Sequence, residues 1–203
     1  MPFSSKTPKP FFTLAAARQM TSLIERELLL AAPPFVRDTS DWVKLWYDPG
    51  NAKTSECGQM TAYRAVTDGG RTLWFVFTPR KARGYHALTD CHIAAMDMAR
   101  RAWAQRRAVR ADWPAVEALA RELRLGRVRL DVRMDDAERS PLCTLGIEGF
   151  LRGVGLGRVR QISGRLAAWL MLIEPQMGFV LHEAALRQRA AGGVQPLTAA
   201  LRP

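Results

Sequence analysis

The chain has 203 residues, of which 48% are hydrophobic and 24% charged, and its formal net charge is +11. A chain of this length and composition can bury its own core, which excludes a disordered protein, and no apolar run approaches the roughly 20 residues that cross a bilayer. The amino terminus lacks the apolar stretch of a secretory signal, and the three cysteines have neither disulfide nor zinc spacing. We therefore expect a cytoplasmic protein, and the excess of Arg over Lys is typical of a bacterial sequence.

The amino-terminal part of the chain predicts a helix followed by a strand. Apolar residues recur at helical spacing over 14–31 and a proline pair follows them, so we expect a helix there. Residues 42–47 alternate between apolar and polar types, which predicts a half-buried strand. The turn-forming sequence Asp48-Pro49-Gly50 is expected to end that strand.

The middle of the chain predicts a β-hairpin and a long helix. An Asp-Gly pair at 68–69 separates two strand-like runs, which is a hairpin signature. The second run, 72–77, is apolar throughout and is expected to be buried on both faces. A helical period from Ala87 to Arg110 predicts a long helix. Cys91 falls on its apolar stripe, which favours a buried, inert thiol over a nucleophile paired with a neighbouring histidine.

The remainder predicts another helix, another strand and a helical carboxyl-terminal third. Pro114 suits the first turn of a helix with Asp112 as its cap, and Gly126 suits its end. Residues 127–134 alternate strictly and predict a further strand of the sheet, with its arginines facing outward. An acidic turn is expected after that strand, at 135–141, and helices are expected at 142–152, 158–174 and 178–190.

These elements together predict an α+β fold. We expect a small, mostly antiparallel sheet of about four strands, a long central helix and a helical carboxyl-terminal third. The expected organisation is a flexible tail at 1–12, an α+β domain at 13–141, a helical subdomain at 142–190 packed on it, and a flexible tail at 191–203.

The excess positive charge lies in the middle and at the carboxyl end of the chain. Residues 80–133 carry thirteen Lys and Arg against six Asp and Glu, which favours an anionic partner. Trp103 lies among arginines on the long helix, where an exposed ring could stack on a base while the cations bind phosphates. Alternatively, Trp103 covers a seam against the carboxyl-terminal helices. The predicted nucleic-acid-binding residues are Arg80, Lys81, Arg83, Arg100, Trp103, Arg107, Arg110, Arg127, Arg129 and Arg133.

The loop before the long helix offers a second kind of site. Arg80, Lys81 and Arg83 precede a helix amino terminus, whose free N–H groups would add to their charge in binding a phosphate. Histidine is the side chain that ordinarily changes charge near neutral pH, so His86 is the candidate proton carrier if this loop belongs to an enzyme. The alternative is a solvated basic loop.

Two further patterns have both a functional and a structural interpretation. The segment around 142–173 could form a helix-turn-helix, although its apolar second half favours a core-packing helix. The acidic cluster could hold Mg²⁺, but acids after a strand also cap helices, and we predict neither a metal nor a cofactor. The arginines of the first pattern are Arg158, Arg160 and Arg165, and the acids of the second are Asp131, Asp135, Asp136 and Glu138.

The sequence therefore favours a basic bacterial protein that binds nucleic acid as a regulatory or accessory factor. Two alternatives stay open. The first is an enzyme that acts on a phosphate-bearing substrate or a nucleic acid through residues 80–92, and the second is an interaction module that docks an acidic partner protein. No catalytic motif in the sequence names a reaction.

Overall fold

The computed structural model describes residues 36–39, 42–79 and 84–192. It confirms the predicted α+β class. The described strands are β1 (Val36–Thr39), β2 (Lys44–Thr54), β3 (Thr61–Thr67), β4 (Thr72–Phe77), β5 (Tyr85–Ala87), β6 (Asp131–Arg133) and β7 (Gln161–Ser163). The described helices are α1 (His92–Ala111), α2 (Trp113–Arg124), α3 (Met134–Arg139), α4 (Thr144–Gly153), α5 (Gly164–Leu170) and α6 (Met177–Ala190). The helix predicted at 14–31, the tail at 1–12 and all but two residues of the tail at 191–203 lie outside the described residues.

The chain divides into two compact units. Unit 1 comprises residues 1–100 and 143–153, and unit 2 comprises residues 101–142 and 154–203. Helix α4 lies in unit 1 with the sheet, and α2 lies in unit 2 with the carboxyl-terminal helices.

Unit 1 contains a five-stranded antiparallel sheet in the order β1-β2-β3-β4-β5. The predicted hairpin is confirmed as β3 and β4, and Thr67 donates its N–H to the carbonyl of Arg71 across the turn at 3.0 Å. The predicted burial of the second strand is also confirmed, since Leu73 to Val76 are all buried. In the strand order, β4 lies between β3 and β5, and β5 is an edge strand.

The turn expected at Asp48-Pro49-Gly50 is wrong, because β2 continues through it to Thr54. The pairing with β3 shifts between Tyr47 and Ala52, so several residues of β2 bulge opposite a single residue of β3. Within the bulge, Gly50 donates its N–H to Asp48 Oδ1 at 2.8 Å. The turn-forming residues thus bend the strand locally without reversing it.

Helix α4 packs closely on residue 42 within unit 1. A Cβ on Gly149 would lie 2.0 Å from the Trp42 carbonyl oxygen, and one on Gly153 would lie 2.6 Å from the Trp42 ring. The same ring meets Phe150 edge-on at 5.0 Å between centroids. Two glycines one turn apart therefore form the surface that receives Trp42.

In unit 2, the predicted further strand of the main sheet is wrong. Only 131–133 of the expected 127–134 is a strand, and it pairs with β7 in a separate two-stranded sheet. The acidic turn expected after it is a short helix, α3, because Asp136 Oδ2 accepts the N–H of Arg133 at 2.8 Å and caps the helix. The remaining core of unit 2 includes Val109, Val116 and Phe179.

Two predicted helices begin later than expected because short strands precede them. β5 occupies Tyr85–Ala87, so α1 begins at His92 and not at residue 87. β7 occupies the start of the predicted helix 158–174, and Ser163 then caps α5 by accepting the Leu166 N–H at 3.2 Å. Among the described residues, no helix combines the length and the apolarity required to cross a membrane.

Candidate nucleic-acid interface

The predicted binding residues fall into three groups. Arg80, Lys81 and Arg83 lie outside the described residues. Arg100 belongs to unit 1, where it is exposed and bonds Asp97 Oδ1 at 2.6 Å. The other six belong to unit 2, and of these Arg107, Arg110, Arg127, Arg129 and Arg133 are exposed whereas Trp103 is buried.

Of the two interpretations given for Trp103, the exposed stacking ring is wrong, because the residue is only 6% exposed, and its burial agrees with the alternative of a covered ring. Ala102, the preceding residue, is also buried, and the two positions are about 100° apart on the helix. The buried face of α1 is therefore wide enough to include both Ala102 and Trp103. The expectation for Cys91 is also wrong, because Cys91 immediately precedes α1 and is exposed, not buried in the apolar stripe.

The central feature of unit 2 is the pairing of β6 with β7. Arg133 lies opposite Gln161 in the register, and the next residue, Met134, donates its N–H to the carbonyl of Arg160 at 2.9 Å. Val132 is buried on the inner face, while Arg133 and Gln161 are exposed. The pairing therefore brings together two arginine-rich segments that are about 30 residues apart in sequence and places their polar side chains in solvent.

This pairing creates what we call the arginine ribbon. Its members lie on β6 or β7 or within three residues of them, and all five are exposed: Arg129, Arg133, Arg158, Arg160 and Arg165. Both segments are recognisable in the sequence, where they belong to separate predicted sites. The helix-turn-helix interpretation is wrong, because residues 161–163 form a strand where the recognition helix would begin. Arg127, three residues after the end of α2, is paired with Glu122 at 3.4 Å.

An open cleft of about 400 Å³ lies elsewhere in unit 2. It is lined by Arg110, Trp113, Pro175, Gln176 and Phe179. The Trp113 ring is half-buried and packs on Phe179 with the ring centroids 5.3 Å apart. The lining of this cleft thus combines a cation, an indole ring and an amide.

Helix α6 connects the cleft with the arginine ribbon. Phe179 lines the cleft near the start of α6, whereas Arg187 donates to the Asp131 carbonyl of β6 near its end. Gln188 also donates to the carbonyl of Arg129, at 3.5 Å. Eight residues of helix separate Phe179 from Arg187, which corresponds to about 12 Å along the axis.

The ribbon is supported by a buried ion pair. Asp136 is fully buried, and its two carboxylate oxygens accept hydrogen bonds from the Arg187 guanidinium at 2.7 and 3.0 Å. These bonds raise the pKa of Arg187 above its usual value. The Asp136 carboxylate therefore has a structural role. This agrees with the interpretation in which acids that follow a strand cap a helix. Within the described ranges, no group of three or more His, Cys, Asp and Glu could hold a metal ion.

His86, the candidate proton carrier, lies in unit 1. It is not in a solvated loop but on β5, where its side chain is only 8% exposed. Its Nδ1 lies 3.3 Å from the sulfur of Cys143. The sequence does not predict this contact, because 57 residues separate the two positions and neither belongs to a motif.

The charge of the chain is concentrated in unit 2. This unit has sixteen Lys and Arg against nine Asp and Glu, and unit 1 has fourteen against ten. The unit that contains the ribbon and the cleft therefore carries most of the net positive charge.

Comparison of the chain with protein-family models, with curated proteins and with solved structures finds no match.

Proposed function

We propose that the protein binds nucleic acid through unit 2, as a regulatory or accessory factor, with a single-stranded segment as its preferred ligand. The observation that carries the proposal is the β6–β7 pairing, which places five exposed arginines on one ribbon. Phosphates are the ligands that such a surface attracts, and each one bound releases counterions. Two-stranded ribbons are also an established means of contacting nucleic acid.

The cleft supports a preference for an unpaired strand. Trp113 and Arg110 line a space that is open to solvent, and a base can stack on the indole only if it is not paired within a duplex. The ribbon then binds the phosphates of neighbouring nucleotides. This arrangement replaces the exposed Trp103 of the sequence-based prediction with a different tryptophan in the same unit.

The test is fluorescence anisotropy with a labelled single-stranded oligonucleotide and its matching duplex, at several salt concentrations. Arg133→Ala and Arg160→Ala should each weaken binding and reduce the slope of log K against log salt by about 0.7 for a single strand. Arg152→Ala is the matched control, because it removes the same charge from an exposed position on α4 in unit 1. It should leave the slope unchanged.

The contribution of the cleft is tested with Trp113→Leu, which keeps an apolar side chain against Phe179 but removes the stacking surface. We expect a loss of about 1–3 kcal/mol in binding to the single strand, which is about 5-fold to 150-fold in affinity. The proposal fails if neither oligonucleotide binds at about 50 mM salt, where phosphate contacts are strong. It also fails if the ribbon variants behave like Arg152→Ala, or if polyglutamate binds as tightly as the oligonucleotides, which would favour an acidic protein partner.

A further inference from the structure

The contact between Cys143 and His86 in unit 1 has no part in the proposed nucleic-acid interface. Cys143 immediately precedes α4, and its carbonyl accepts the Ile147 N–H at 3.1 Å, so it is the N-cap residue of a ten-residue helix. Its sulfur accepts the Gly146 N–H at 3.4 Å and lies 3.3 Å from His86 Nδ1. One thiol thus has a backbone donor, a helix amino terminus and an imidazole around it.

The imidazole is held in place by packing. The His86 ring stacks on the Phe75 ring with centroids 5.4 Å apart and planes 20° apart. Gly84 lies against the same Phe75 ring, so closely that a Cβ there would be 2.2 Å from it. Packing therefore fixes the orientation of the His86 ring toward Cys143.

These groups have complementary chemical roles. A thiolate is the reactive form of cysteine, and an imidazole in contact with a thiol can take its proton. The Gly146 N–H and the positive end of the α4 dipole both stabilise negative charge on the sulfur. The two side chains are 9% and 8% exposed, so only a small electrophile can reach them.

We propose that Cys143 and His86 form a peroxide-reactive thiol site. Hydrogen peroxide is a small, uncharged electrophile, which suits a thiol beside the apolar cluster of Phe75 and Leu145. The first product is a sulfenic acid on Cys143.

The reaction balances without any further reactant. His86 takes the proton of the Cys143 thiol, and the thiolate sulfur attacks one oxygen of the peroxide. A sulfur–oxygen bond forms as the oxygen–oxygen bond breaks, so that sulfur is oxidised and the peroxide is reduced. The departing hydroxide takes the proton from His86 and leaves as water.

The full-length protein is treated with hydrogen peroxide, the remaining peroxide is removed with catalase, and the protein is then unfolded in dimedone, which traps sulfenic acids, so that each cysteine can be quantified by mass spectrometry. Cys91 is the internal reference because it is exposed. We expect Cys143 to be trapped about ten times faster than Cys91, despite its burial, because its thiolate is stabilised. A rate at Cys143 equal to or below that at Cys91 overturns the proposal, and this comparison needs no variant.

The role of His86 is tested with His86→Gln, which can hydrogen-bond the sulfur but cannot carry the proton. We expect trapping at Cys143 to fall by about a hundredfold, the usual contribution of a general acid or base. His92→Gln, which removes a half-buried histidine at the start of α1, should leave that rate unchanged. Equal rates at Cys143 in His86→Gln and the wild type would show that the imidazole takes no part. Oligonucleotide binding is measured separately, so failure of either proposal leaves the other intact.

Discussion

Asp136→Ala removes the carboxylate that joins β6, α3 and α6 in unit 2. Asp136 is fully buried, and its partner Arg187 has a side chain that is 19% exposed. Loss of one member of a buried pair costs about 3–5 kcal/mol, and the remaining exposure of Arg187 places the cost near the lower end, about 3 kcal/mol. The lost cap to the Arg133 N–H adds about 1 kcal/mol. The expected loss is therefore about 4 kcal/mol in the free energy of unfolding.

The assay is urea unfolding followed by circular dichroism. With a urea slope of about 2 kcal/mol/M, the midpoint of the transition that includes unit 2 should fall by about 2 M. Asp135→Ala is the matched control, because the neighbouring carboxylate is exposed on the same helix, and it should change stability by less than about 0.5 kcal/mol. If the two variants unfold at the same urea concentration, Asp136 does not hold these elements together and the structural explanation is refuted.

Two further predictions concern variants in unit 1. The Ser55 hydroxyl lies 3.5 Å from the Cys57 sulfur and is the main cause that lowers the pKa of that thiol, ahead of backbone hydrogen bonds. Ser55→Ala should therefore raise the pKa, reduce the thiolate fraction at neutral pH and slow alkylation of Cys57 by iodoacetamide; an unchanged rate would contradict this cause. Gly149→Ala places a Cβ 2.0 Å from the Trp42 carbonyl oxygen, so α4 must shift, at a cost of about 1–3 kcal/mol in thermal or urea unfolding. Wild-type stability would show that this helix contact is not tight.

Local patterns predicted the elements whose signals lie within a few residues of each other. The hairpin of β3 and β4 follows from Asp68-Gly69 between two apolar runs, and the limits of α2 follow from Pro114 and Gly126. Gly126 has a φ of 72°, the left-handed conformation that glycine adopts at a helix end. These features depend on the backbone preferences of individual residues, which can be read directly from the sequence.

The same preferences were insufficient where a distant contact decided the outcome. Asp48-Pro49-Gly50 forms turns in many chains, but here the pairing of β2 with β3 on both sides makes it a bulge. The position of Trp103 among arginines on the helix is compatible with either an exposed or a covered ring. The packing of the folded unit buries it. Burial and strand partners depend on which elements meet, and periodicity cannot supply that information.

The sequence by itself determined the α+β class, the excess of positive charge and the arginine-rich segments that carry much of it. The tertiary structure alone decided which of these segments meet. Arg133 and Arg160 become neighbours through the β6–β7 register, and His86 meets Cys143 through the packing of α4 on the sheet. The physical reason is that local conformation is encoded by neighbouring residues, whereas a site is formed by contacts that arise only when the whole unit buries its apolar surface.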